Sequence, residues 1–416
     1  MLYERWRKIS AERQDATALC DFASGKRWTF GELFAAGEIR LAGQTGTVFP
    51  QGHSPEFILE LLTAWRANKI VCPLETEQSP PEISAPPENC VHLKSTSATG
   101  GMARFVAFTA EQLMADAGNI VATMGLRPDW PNLGVISLAH SYGFSNLILP
   151  LLLHGIPLIL APAPLPEIIR RAAKNENSIT LPAVPAMWRA WHDADAIPQN
   201  VRLAISAGAS LPVNLEQEVF NACGVKIHNF LGSSECGGIT YDASETPRTE
   251  DAFVGSPMQN VNLSLNDDGC LVVRDRAVAE TYWPEKSDSL RGGVFQTSDM
   301  AELKNGLVFL RGRLGDQINV AGRKISPETI ERALLAHSQV RECLVFGVPG
   351  REAKRAEIIV AIVSASATEF ELKNFLLQTL PAWQVPREWK FVDSLPANAR
   401  GKISRAGWRK QFASRV

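Results

Sequence analysis

The sequence predicts an α/β chain: a large N-terminal α/β domain of sheets and helices over residues 1–313, joined to a small C-terminal α+β domain over 314–416. Three observations predict it. Short apolar strands that run straight into small or polar residues recur three times between residues 134 and 235, with helical stretches between them; in open α/β sheets such strand ends converge on a ligand crevice. A glycine-bracketed run, Gly312-Arg313-Leu314-Gly315-Asp316, then reads as a flexible joint that carries a cation. Beyond it the pattern becomes helix, two strands, helix and strand, the content of a small separate core. A length of 416 residues fits two or three domains, and 45% apolar residues are enough to fill their cores.

Composition excludes several classes. Lys and Arg total 42 against 44 Asp and Glu, so no global field draws the chain to nucleic acid or an anionic membrane. The seven cysteines are scattered, odd in number and never form a CxxC pair, so they suggest neither a disulfide framework nor a zinc knuckle and read as those of a reducing cytoplasm. The opening MLYERWRKISAERQD lacks the apolar core of a signal peptide. The greasiest run, Leu147 to Pro162, is broken by Pro150, His154, Gly155 and Pro157. It is too short to span a bilayer and reads as a buried helix followed by a core strand.

In chain order, residues 1–90 predict an α/β scaffold: Thr29 before a helical run Gly31 to Leu41, a helix near Pro55 to Ala67 and a strand Ile70 to Pro73. Pro80, Pro81, Pro86 and Pro87 mark a loop leading to Ser95-Thr96-Ser97-Ala98-Thr99-Gly100-Gly101-Met102-Ala103-Arg104. Small hydroxyl residues and glycines let backbone N–H groups approach phosphate oxygens, and Arg104 adds a cation. Thr109-Ala110-Glu111-Gln112 is a capping box opening a helix through Leu113, Ile120, Val121 and Met124.

The three strands follow. Gly134 to His140 ends at His140, with Tyr142-Gly143 beyond; Val201 to Ser206 ends at Ala207-Gly208-Ala209-Ser210; Val225 to Phe230 ends at Gly232-Ser233-Ser234-Glu235. A lone Glu after a strand is otherwise an acid balancing a helix dipole. Further on, Thr297-Ser298-Asp299 places a carboxylate at an expected strand end, where it can accept hydrogen bonds from a sugar diol. Strands at Asp299 to Leu303 and Leu307 to Leu310 flank Asn305-Gly306, a hairpin turn signal. Ser326-Pro327 reads as an N-cap and first-turn proline, with Ile330, Leu334 and His337 at helical spacing. Strands at Cys343 to Val348, Glu357 to Val363 and Glu388 to Val392, and a helix near Glu369 to Leu380, complete the small domain.

Taken together, these motifs resemble those of the adenylate-forming enzymes: acyl-CoA and aryl-CoA synthetases, peptide-synthetase adenylation domains and luciferases. GVFQTSD, NG and GRLGDQINVAGRKI are similar to the family's junction, GWF-x-TGD…dG…GR-x-DD-x-I-k-x-x-G-x-R-I. The loop with Ser95, Thr96, Thr99, Gly100 and Arg104 resembles the family's phosphate loop, with the usual Pro-Lys absent. Leu231-Gly-Ser-Ser-Glu235 is similar to YG-x-TE, which implies Mg²⁺ at Glu235, the α-phosphate at Ser234 and a nucleotide contact at Gly232. Leu231 stands where an aromatic usually stacks on adenine. The turn with Gly208 and Ala209 resembles the family's adenine-contacting turn, and His140 its pocket wall or gate beside the carboxylate and thiol tunnel. Gly315 falls at the hinge of a mobile small domain. Leu395-Pro-Ala-Asn-Ala-Arg-Gly-Lys402-Ile-Ser-Arg405 resembles LP-x-x-x-x-GKI-x-R, whose Lys bridges carboxylate and α-phosphate.

The resemblance implies ATP-dependent activation of a carboxylic acid, release of pyrophosphate, and transfer of the acyl group to a thiol, first of all coenzyme A. Oxide is a poor leaving group and AMP a good one, so the mixed anhydride makes the acid reactive. Arg313, Lys402 and Mg²⁺ at Glu235 then neutralise the developing charge. The segment AHSYGFSN lacks the Asp that pairs an amino acid's ammonium, which favours a simple carboxylic acid. An acyl carrier protein as acceptor, and a nucleotide-binding relative without catalysis, are the alternatives.

Overall fold

The computed structural model describes residues 1–41, 43, 46–96, 104–350, 357–395 and 404–413. Thr99, Gly100 and Lys402, and the side chain of Thr96, therefore lie outside the described residues. The expected α/β architecture is found, with a large N-terminal and a small C-terminal body.

The large body is built on a nine-stranded sheet. Strands Ile227–Ser233, Val201–Ser206, Ile179–Ala183, Asn132–Gly134 and Leu158–Leu160 run parallel side by side, continue through Thr17–Asp21, and end in antiparallel edges at Lys26–Thr29 and Gly237–Tyr241 with Ser256–Pro257. The parallel strands are apolar almost throughout because both faces are covered, as βαβ connections require; Ile179–Ala183 is buried at every position. Helix Ala110–Met124 carries the predicted capping box, with Thr109 and Gln112 bonded reciprocally. Its apolar face, Leu113, Ala117, Ile120 and Met124, joins the main core.

Two further sheets flank this body. One orders Thr281–Trp283, Arg104–Phe108, His92–Thr96, Ile70–Val71 and Thr47–Val48. The other contains the long strand Val294–Lys304, paired with Cys270–Arg274 and Leu307–Arg313. Asn305 and Gly306 take φ of 51° and 78°, the left-handed pair that a tight two-residue hairpin needs.

Three expectations are corrected. The strand predicted over Gly134 to His140 is Asn132–Gly134 only; Val135, Ile136 and Leu138 are buried but leave the ladder as the chain passes to the short helix Ser141–Gly143, whose Gly143 lies tight against the Ser137 carbonyl. The helix predicted to Leu41 stops at Glu38, where the Arg66 guanidinium donates to the carbonyls of Gly37, Glu38 and Arg40. Asp299 lies within Val294–Lys304 and not at a strand end, beside a register shift between Met300 and Ala301.

In the small body, strands Val340–Pro349, Glu357–Ala365 and Glu388–Phe391 form one sheet. Ile330 and Leu334 of helix Pro327–Leu335 and Leu372 and Leu376 of helix Glu369–Thr379 cover one face. Trp408 and Phe412 of helix Arg405–Ala413 cover the other. Among the described residues the main core takes no buried residue beyond Val308, and the small body's first is Ile318.

Candidate active site

The carboxyl ends of the parallel strands organise the site. Tyr142, beyond His140, reaches over two of them, its hydroxyl lying 3.4 Å from the carbonyl oxygens of Ala183 and Ile205. His140 caps the short helix Ser141–Gly143 by accepting from the Tyr142 N–H through Nδ1 at 3.2 Å, which leaves the proton on the other ring nitrogen. Gly143 is required here, since a Cβ would sit 2.0 Å from the Ser137 carbonyl oxygen. The neighbouring strand ends in Ala207-Gly208-Ala209-Ser210, exposed from Gly208 onward. Gly208 has a φ of +84°, which turns the backbone outward and leaves its polar groups accessible. Arg248 holds this turn from beneath: it donates to the Leu211 carbonyl at 2.6 Å and to Glu216 at 2.7 Å, both side chains fully buried.

The strand Ile227–Ser233 delivers Glu235. The turn after it is tight: a Cβ on Gly232 would lie 2.8 Å from the Gly237 carbonyl oxygen, and Gly237 has a φ of +67°. Ser233 Oγ accepts from the Glu235 N–H at 3.2 Å, and the Glu235 carbonyl accepts from Ala279 at 2.9 Å. The carboxylate receives the Tyr282 hydroxyl at 3.0 Å on Oε1. Burial, then the charge of Glu235, pushes the Tyr282 phenol well above its usual range, so it remains a donor. Oε2 has no partner among the described residues. The Arg104 guanidinium lies 3.5 Å from the centre of the Tyr282 ring, a cation–π stack. Ser95 and Arg104 thus flank the loop expected to bind phosphate, and Ser234 stands half-exposed beside Glu235.

The junction places Asp299 opposite Arg313 in the strand register. Arg313 Nε donates to Asp299 Oδ1 at 2.8 Å, and the backbone N–H of Asp299 bonds Thr297 Oγ1 at 3.0 Å. Two expected nucleotide contacts are therefore already paired. Gly315 follows in a short 3₁₀ turn, Leu314–Asp316, with open space where a Cβ would be. Arg405 fastens the far side of this joint: it donates to Asp316 at 2.8 Å and to Glu331 at 2.9 Å.

Sequence reasoning missed Tyr282 and a buried polar group beneath the site. Lys94, on strand His92–Thr96, lies 3.4 Å from Ser145 Oγ and 4.0 Å from Asp116 Oδ2, within an interior nearly closed to solvent. Burial pulls the Lys94 pKa down against the upward pull of Asp116. His92, two residues earlier on the same face, is fully buried and packs against Phe144 with the ring centres 4.3 Å apart and the planes tilted by 32°. The signal was two basic residues, two apart, in an otherwise strand-like segment. A Tyr remote in sequence gave no comparable sign.

A single Glu, a neighbouring hydroxyl and an open carboxylate oxygen fit Mg²⁺ held chiefly through nucleotide phosphates and water. Among the described residues no group of three or more His, Cys, Asp and Glu could form a protein-only metal site, and no helix is long and apolar enough to cross a membrane.

Comparison with known proteins gives this site its context. An uncharacterized acyl–CoA ligase of Bacillus subtilis strain 168 is 28% identical over 253 residues, covering 58% of this chain and 52% of its own length. A long-chain-fatty-acid–CoA ligase of the same organism is 25% identical over 345 residues, covering 77% of this chain and 61% of its own length. The matches thus span about half to three-fifths of those relatives. The fold is that of ATP-bound MatB from Rhodopseudomonas palustris, at a TM-score of 0.85 and 18% identity over 99% of each chain. The family model of the AMP-binding enzyme matches residues 74–283 and that of the AMP-binding enzyme C-terminal domain residues 329–402; the two cover stretches of both bodies, and the chain belongs to the AMP-binding enzyme family.

Proposed function

We propose that the chain is an AMP-forming acid–thiol ligase: it activates an acyl or aryl carboxylic acid with ATP to an acyl-adenylate and pyrophosphate, then transfers the acyl group to coenzyme A. The observation that carries this is Glu235, fixed on one oxygen by Tyr282 and open on the other, at the end of a parallel strand beside the Arg104 cation. Family membership and relatives named as CoA ligases support it. The acid's carboxylate attacks the α-phosphorus; the bond from that phosphorus to the bridging oxygen breaks and pyrophosphate leaves. The thiol, as thiolate, then attacks the acyl carbon and AMP departs.

Residues divide the work. Ser95, Thr96, Thr99, Gly100 and Arg104 hold the triphosphate, and Gly208, Ala209, Gly232 and Ser234 offer backbone and hydroxyl groups to adenine and α-phosphate. Asp299 takes the ribose hydroxyls on the oxygen Arg313 leaves open. Arg313 and Lys402 meet the charge that develops on phosphate and carboxylate. Mg²⁺ bound at Glu235 supplies further neutralisation of the phosphates. His140 walls the acid and thiol path. The domains divide at residues 313 and 314, and Gly315 is the hinge about which residues 314–416 turn between the two half-reactions. The seven cysteines, none disulfide-bonded, suit a reducing cytoplasm.

The test is acid-dependent pyrophosphate exchange across a panel of aliphatic and aromatic acids, followed by thioester formation with coenzyme A and with a carrier protein. Exchange with at least one acid and transfer to free coenzyme A is the expected result. ATP binding without exchange for any acid overturns the reading, and transfer to the carrier alone replaces the acceptor.

A further inference from the structure

Buried ion pairs in enzymes are weak sources of stability, since desolvation offsets their attraction. The pair under this site joins three segments of functional backbone. Asp116 lies on helix Ala110–Met124, Lys94 on the strand entering the phosphate loop, and Ser145 on the π-helical segment Phe144–Ile148 that follows His140. Ser145 Oγ donates to Asp116 Oδ2 at 2.6 Å, and the Lys94 ammonium sits 4.4 Å above the centre of the Phe108 ring. The other carboxylate oxygen points at the Glu235 turn: Asp116 Oδ1 accepts from the Gly238 N–H at 3.3 Å. A Cβ on Gly237 would lie 1.9 Å from the same oxygen. The carboxylate therefore fills the space under Gly237 and fastens the residue after it. Side chain and turn are matched in shape as well as in hydrogen bonding.

We infer that Asp116, secured by Ser145 and charge-balanced by Lys94, is a positioning residue that sets the turn presenting Glu235 to the metal-bound nucleotide. This rests on the reading of Glu235 as the residue that meets Mg²⁺. Tyr282 holds the carboxylate itself; Asp116 holds the turn that follows it, at Gly238. Loss of such an outer partner characteristically lowers metal affinity or activity by about 10- to 100-fold.

The experiment uses the full chain with Asp116→Ala, the double variant Lys94→Met/Asp116→Asn, and Ser145→Ala. Calorimetry measures ATP affinity with and without Mg²⁺, and pyrophosphate exchange measures the Mg²⁺ concentration for half-maximal rate. Asp116→Ala is expected to weaken the Mg²⁺-dependent gain in ATP affinity by about 10-fold or more, with Mg²⁺-free binding unchanged. The double variant removes both charges together yet keeps an acceptor for Gly238, and is expected to recover most of the loss. Ser145→Ala is expected to shift the same quantity by a smaller factor.

Equal loss of ATP affinity with and without Mg²⁺, or a double variant no better than Asp116→Ala, overturns the proposal. If Asp116→Ala does not fold, Ser145→Ala decides, and an unchanged Mg²⁺ dependence there overturns it. A parent chain whose ATP affinity ignores Mg²⁺ refutes the Glu235 assignment and the positioning role together. A parent that binds Mg²⁺ with ATP but exchanges no pyrophosphate refutes only the catalytic reading.

Discussion

Replacing Tyr282 with Phe removes one hydrogen bond, 3.0 Å long, from Glu235 Oε1 and leaves the ring under Arg104 in place. A hydrogen bond to a charged group contributes about 1.5 to 3 kcal/mol. Glu235 is only half-buried, so water recovers part of that and the lower end applies, about 1.5 kcal/mol, or roughly tenfold in an equilibrium constant. The loss should appear as a roughly tenfold higher Mg²⁺ requirement in acid-dependent pyrophosphate exchange, with a smaller change at saturating Mg²⁺. Tyr282→Leu also deletes the surface on which Arg104 stacks and should raise the apparent KM for ATP further, by the ~0.5 to 2 kcal/mol of a cation–π contact. Both variants should be assayed against a Mg²⁺ series at fixed ATP, with thermal melting as a control. A Phe variant indistinguishable from the parent, or Phe and Leu variants equally impaired, refutes the column of Arg104, Tyr282 and Glu235.

Asp299→Ala should chiefly raise the KM for ATP, by the ~1.5 to 3 kcal/mol of a lost charged acceptor; an effect confined to the acid's KM removes Asp299 from the nucleotide site. Gly315→Pro should spare adenylation and slow thioester formation by fixing φ at the joint, whereas equal loss of both steps indicates general damage. Lys402→Ala should lower pyrophosphate exchange by about 10²-fold or more yet form thioester from supplied acyl-adenylate at near the parent rate; loss of both to the same degree refutes an alternating Lys402. Arg248→Ala leaves Glu216 and the Leu211 carbonyl short of a buried donor and should lower unfolding free energy by about 3 to 5 kcal/mol, read by denaturant titration; a loss under ~1 kcal/mol shows that the group relaxes.

Much of this was legible because the chain states it locally. The Thr109 and Asn305-Gly306 signals need only neighbouring residues, and the strand Val201–Ser206 is found where it was read. Glu235, Asp299 and Arg313 were singled out by motif, since each sits beside small residues that mark a turn or joint. What the sequence hid depends on folding distant segments together. Tyr282 meets Glu235 across 47 positions and Asp116 meets Gly238 across 122. The strand expected over Gly134 to His140 failed for a related reason: apolar alternation reports burial, and Leu138 is buried without sharing a ladder. Asp299 was misplaced at a strand end because Thr-Ser-Asp carries a turn-like composition, while the ladder to Arg313 continues through it.

The loop proposed to bind phosphate is followed by a sheet that sets the cation beyond it. Tyr282 pairs with Val106, so Arg104, two residues earlier, projects from the same face as a diagonal neighbour of Tyr282. A planar guanidinium can lie flat on the aromatic ring at that distance and still direct N–H groups outward, whereas a lysine ammonium would offer one flexible point charge. The exchange of Lys for Arg is thus matched by the ring beneath it, and that ring's hydroxyl holds Glu235. For a triphosphate bound across this face, the cation and the carboxylate proposed to meet Mg²⁺ are both held by one residue, Tyr282. Their spacing is fixed by the strand pairing and does not depend on the loop itself. That favours a loop whose departures change nucleotide affinity over one that has lost its chemistry, and it makes Arg104→Lys the informative exchange: restoring the family's charge type without its stacking should weaken ATP binding, and a gain in affinity would show that the ring does not orient the cation.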